Sequence, residues 1–76
     1  MERDSQLSLY GVVADQLKEA HARVRALQVP EGVRMALTRK LLVITAVAKH
    51  DLADATRRLE RFTADLDEGR FPEEGL

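Results

Sequence analysis

Arg57, Arg58 and Arg61 are the residues whose type and spacing come nearest to a recognisable chemistry. Guanidinium groups gathered on one helix can neutralise neighbouring phosphates. The short polar stretch Lys49-His50-Asp51 upstream would make that helix the second of a helix-turn-helix pair, the one laid in the major groove. Against this, Asp54, Glu60, Asp65, Asp67 and Glu68 share the same stretch. The pI near 6.1 is also far from the basic footprint of a small DNA-binding domain. Arginines alternating with acids usually solvate a helix face. A small nucleic-acid-associated or transcriptional regulator, contacting its ligand through Arg57, Arg58 and Arg61, is therefore the second reading of this chain.

The other reactive side chains form no set. His21 lies in or beside an apolar helical arc, where an imidazole more often makes one structural hydrogen bond than serves as a base. His50 has Asp51 and Asp54 nearby, a combination too common to imply a metal site. Tyr10 falls on a core stripe and is expected to supply ring area with its hydroxyl at the edge. Ser5, Ser8, the threonines and the remaining acids have no spacing that joins nucleophile, base and orienter. The expectation is a protein that is not an enzyme, with no catalytic, cofactor-binding or metal-binding residue and no cofactor.

The elements that carry these residues must be built from 76 residues with no cysteine, so neither a disulfide nor a zinc site can staple the core. At this length folding hides only about 60% of the unfolded surface, and helix packing or self-association has to supply the stability. The net charge of −1 is uneven: residues 18–61 carry ten cations and five anions, whereas from Phe62 onward five acids face Arg70 alone. The opening MERDSQLSLY has neither the basic start nor the apolar core of a signal peptide. The most apolar stretch, LLVITAVA, is eight residues with Thr45 among them, against the roughly 20 that a membrane-spanning helix needs. The expected location is cytoplasmic, with no membrane partner.

Hydrophobic spacing predicts an all-α chain folded as an antiparallel three-helix bundle, with helices over about 5–27, 31–49 and 52–68. In the first, Tyr10, Val13, Leu17, Ala20, Val24 and Leu27 alternate steps of three and four, behind an N-cap at Asp4 or Ser5. Pro30 and Glu31 open the second helix after the break at Gln28-Val29. Its stripe of Val33, Leu37, Leu41, Ile44 and Ala48 is widened by Ala36, Val43 and Val47 to about half the circumference, which requires neighbours on two sides. Asp51 caps the third helix, Leu52, Ala55, Leu59, Phe62 and Leu66 line its core face, and Gly69 stops it. Residues 1–68 are expected to be a single helical domain. Arg70-Phe71-Pro72 then leaves the bundle, and 69–76 forms a flexible acidic tail.

Residues 33–66, with the Lys40-Leu41 pair, an alanine-containing helix, a polar turn at Asp51, Ala55 and Leu59-x-x-Phe62, resemble the helical repeat of the FIMAH-type domain. That resemblance implies a small helical module attached to larger secreted or surface proteins, without an assigned catalytic role. The turn here is shorter and lacks the usual glycine, so what carries over is architecture, with no functional residue.

The second helix decides the leading reading. Arg34, Thr38, Thr45 and Lys49 make its only polar strip, and Met35, Leu42 and Ala46 lie away from the core. A monomer would place polar residues there. A protein-interaction module that pairs with itself, or with another protein, through Met35, Leu42 and Ala46 accounts for them.

Overall fold

The computed structural model describes residues 2–72, with side chains from Leu9 onward. It holds three helices, α1 (Glu2–Ala26), α2 (Glu31–Ala48) and α3 (Leu52–Asp67), and each packs against both others. The links of four and three residues allow only antiparallel neighbours, α1 with α2 and α2 with α3. This is the all-α three-helix bundle that the periodicity predicts.

The core is the meeting of three stripes. α1 contributes Val13, Leu17, Ala20 and Val24, α2 Val33, Leu37, Leu41 and Ile44, and α3 Ala55, Leu59, Phe62 and Leu66. Leu41, at the centre of the middle helix, is wholly shielded from solvent (0% exposed). No polar residue belongs to the buried core among the described residues, so the core's stability rests on apolar area.

Two expectations about the stripes are corrected. Tyr10 is 53% exposed rather than in the core. α1 has 25 residues against 18 in α2, an excess of about 10 Å at 1.5 Å per residue. The short link ties the C-terminal end of α1 to α2, so the excess projects at the N-terminal end and Tyr10 stands where the flanking helices give out. Val43 is 49% exposed although it lies within the wide arc of α2. It lies in a groove between α2 and α3, beside the buried Ile44 and Phe62.

The helix ends follow local chemistry. α1 runs from Glu2, so the cap expected at Asp4 or Ser5 falls inside the helix. Pro30 stands just outside α2 with extended backbone (φ −56°, ψ 151°), and its carbonyl accepts the first helical hydrogen bond from Arg34 N–H at 3.0 Å. Gly32 therefore sits inside the first turn without delaying the helix. Asp51 caps α3 as predicted, its Oδ1 accepting from Asp54 N–H at 3.1 Å.

At the far end of α3, Gly69 adopts φ 72°. Gly69 N–H donates to the carbonyl of Leu66 at 3.2 Å and Arg70 N–H to that of Asp65 at 2.8 Å, the two bonds that close a helix behind a left-handed residue. This turn sends the chain back toward the bundle. Phe71, expected to leave the bundle, is half-buried against the core. Residues 73–76 of the expected acidic tail lie outside the described residues.

Candidate interaction surfaces on the second helix

Three polar residues of α2 are partly withdrawn from solvent. Arg34, Thr38 and Thr45 are half-buried, and their hydroxyls and terminal guanidinium nitrogens are hydrogen-bonded within the fold, while Arg34 Nε is buried without a protein partner. Thr38 and Thr45 hydroxyls donate to the carbonyls of Arg34 and Leu41, one turn back, at 3.0 and 2.9 Å. The Arg34 guanidinium reaches the end of α1, donating to the carbonyl of Leu27 at 2.8 Å and, more weakly, to those of Arg25 and Val29. Glu31, Arg39 and Lys40 face solvent in the ordinary way, but an apolar strip shares that surface with them. Met35 is 56% and Leu42 58% exposed, and Ala46 is exposed with them.

Met35, Arg39, Leu42 and Ala46 step by four, three and four, a straight line along one helix face. Glu31 and Lys49 stand at opposite ends of it. Beside Met35 and Leu42 the surface is hollowed to about 270 Å³, walled by Glu31, Arg34, Thr38 and Arg39. The three residues expected to form the interface are thus brought together in the open.

On its other flank α2 meets α3 along a groove of about 390 Å³. Its apolar lining is Ala36, Val43, Ile44 and Phe62. Arg39 and Lys40 from α2 and Arg58 and Arg61 from α3 stand around it, with Asp65 as the one carboxylate. No described residue of α1 takes part. Of the arginines expected to contact nucleic acid, Arg58 and Arg61 line this groove and Arg57 does not.

The ion pairs decide how much of that charge is available. Asp54 accepts from Arg58 Nε at 2.9 Å and from Arg57 Nη2 at 3.0 Å. The hydrogen bond from Arg58, then that from Arg57, holds its carboxyl below the ordinary aspartate value. Asp65 is engaged by Arg70 at 3.1 Å, and Arg70 also reaches Glu68. Arg23 pairs with Asp67, linking the C-terminal ends of α1 and α3. Arg39, Lys40 and Arg61 make no ion pair among the described residues.

Sequence reasoning found Arg58 and Arg61 but not their association with Arg39, Lys40 and Val43. The signal was present: Lys40 and Val43 fall on the flank of α2 away from α1, Arg58 and Arg61 on the matching flank of α3, and a tight turn joins the two helices. The histidines stay apart, His21 half-buried on α1 and His50 exposed in the turn. Among the described residues no three His, Cys, Asp or Glu side chains gather as metal ligands, and no helix is long and apolar enough to cross a membrane. No family model, no curated protein and no solved structure matches the chain.

Proposed function

We propose that this chain is a helical protein-interaction module that pairs with a second copy of itself through the outer face of α2. The observation that carries the reading is the joint exposure of Met35, Leu42 and Ala46 on one line of α2, with Arg39 the one charged residue between them. Met35 and Leu42 are a little over half exposed, so leaving them in water forfeits roughly 1 to 2 kcal/mol apiece of available burial. A two-fold contact recovers it by setting the strip against its own copy. The module is proposed to be cytoplasmic, a cysteine-free chain suiting a reducing compartment.

Sedimentation velocity tests it. A strip of three turns is small beside the roughly 1,200 to 2,000 Å² of a stable interface, so the pairing is weak and concentrations of tens to hundreds of micromolar are the informative range. Wild type should gain mass with concentration. Met35→Glu combined with Leu42→Glu should remain monomeric with unchanged helical circular dichroism. A wild type that stays monomeric throughout ends the reading.

A second reading, a small nucleic-acid-associated or transcriptional regulator, draws on the convergence of Arg58 and Arg61 with Arg39 and Lys40 on one groove. Asp54 already engages Arg58, as it does Arg57 outside the groove. Binding to a DNA duplex should then weaken steeply with salt and with charge reversal at Arg58 and Arg61. Binding indifferent to both removes this reading.

A further inference from the structure

We propose that the groove between α2 and α3 is the docking site for an acidic amphipathic helix of a second protein. The site lies on the face of the α2–α3 hairpin turned away from α1, because none of its described lining comes from α1. A helix laid there would complete a four-helix arrangement, with α1 and the incoming helix on opposite sides of the hairpin.

The chemistry of the lining selects the occupant. The apolar wall formed by Ala36, Val43, Ile44 and Phe62 asks for an apolar stripe, and Val43 is the residue the intramolecular core leaves uncovered. Around it, Arg39, Lys40 and Arg61 make no ion pair among the described residues, and Arg58 adds a guanidinium only partly neutralised by Asp54. The groove's own carboxylate, Asp65, is engaged by Arg70 and does not answer them. An amphipathic helix with leucine-like residues at three- and four-residue spacing and carboxylates along both edges meets both demands at once.

Two other anionic surfaces fit less well. The phosphates of a duplex would meet the cations but leave the apolar lining uncovered, and a flat anionic bilayer cannot follow a recess between two helices. The site is separate from self-pairing through Met35 and Leu42, sharing only Arg39 with that face.

The test uses the full chain, isotopically labelled, and a terminally capped synthetic helix bearing leucines on one face and glutamates along both edges. A control peptide carries lysine in place of each glutamate. The glutamate peptide should shift the NMR resonances of Ala36, Val43 and Ile44 at tens to hundreds of micromolar, an affinity ordinary for one helix in a shallow groove. The lysine peptide should not. Arg58→Glu with Arg61→Glu, both at exposed positions, should weaken binding about tenfold or more with helical content retained. Met35→Glu with Leu42→Glu should leave it unchanged, so failure of self-pairing is read separately. Equal binding of both peptides, no shifts at millimolar peptide, or shifts confined to Met35 and Leu42 would overturn the proposal. Tighter binding to a DNA duplex or to phosphatidylserine vesicles than to the glutamate peptide would do the same.

Discussion

Arg34, on the first turn of α2, donates from its guanidinium to the carbonyl of Leu27 at 2.8 Å, fastening the start of one helix to the end of the helix before it. The carbonyls at the end of α1 lack intrahelical partners, and a cation there also opposes the negative end of the helix dipole. One offset is visible: Arg34 Nε is buried without a protein partner, which removes part of the gain. Arg34→Met keeps the apolar stem and deletes the bond. It should cost about 1 to 2 kcal/mol, toward the lower end for a charge-assisted bond, and lower Tm by roughly 5 to 15 °C in a domain this small. Thermal unfolding by circular dichroism measures it, and an unchanged Tm would mean that the loop holds without the guanidinium.

Gly11 and Gly69 should respond to alanine with opposite signs. A Cβ at either position meets no atom within 4 Å, so sterics against neighbours decide neither case. Gly11 is in mid-helix, where alanine restricts the unfolded chain and is favoured by roughly 0.5 to 1 kcal/mol. Gly69 holds φ 72°, where an alanine side chain is disfavoured by roughly 1 to 2 kcal/mol. Urea midpoints should rise for Gly11→Ala and fall for Gly69→Ala. A fall for both would mean that Gly11 breaks the helix in solution.

Asp54 gives the acid limb of stability a direction. Its folded pKa lies below the ordinary aspartate value of 3.8, because Arg58 and then Arg57 hydrogen-bond its charged form. The unfolded chain therefore takes up this proton first as pH falls. The contribution is complete above that ordinary value and is lost as pH falls through the folded pKa. Asp54→Asn should lower the urea midpoint at neutral pH by a small amount. The gap to wild type should narrow as pH drops through the carboxylate range. A gap independent of pH would assign the effect to the amide's packing and not to the charge.

The three core stripes were legible because burial within a helix repeats at the helical period; Leu41 and Leu59 follow from spacing alone. The Asp51 cap and the Gly69 stop were legible because their partners lie within four residues. Tyr10 was not, since periodicity fixes the face a residue is on but not where the opposing helix ends. Arg34 reads as an ordinary solvent-facing charge until α1 and α2 are folded together and its carbonyl partners arrive. Phe71 looked like the start of a tail because its return depends on the direction set by the Gly69 turn. The groove is a property of two helices at once: the exposure left to Val43 is set by packing, which a single-helix pattern does not contain.

The proposed pairing of α2 with its copy carries a definite polarity. Parallel helices would set Glu31 beside Glu31, Arg39 beside Arg39 and Lys49 beside Lys49, like against like along the whole strip. Antiparallel helices bring Glu31 to the partner's Lys49 and Met35 to the partner's Ala46, a long side chain against a short one. Arg39 then faces the partner's Leu42, across which its methylenes can lie with the guanidinium in water. A mixture of Met35→Cys and Ala46→Cys chains reads this directly, since a disulfide requires Cα atoms within about 7 Å. Under mild oxidation the mixed species should dominate, each variant alone cross-linking poorly. Met35 and Ala46 lie about 16 Å apart along one helix, so in a parallel dimer the two thiols of a mixed pair could not meet. Efficient homodimeric cross-linking of Met35→Cys would reverse the polarity, placing the Glu31 end of each helix beside its own copy.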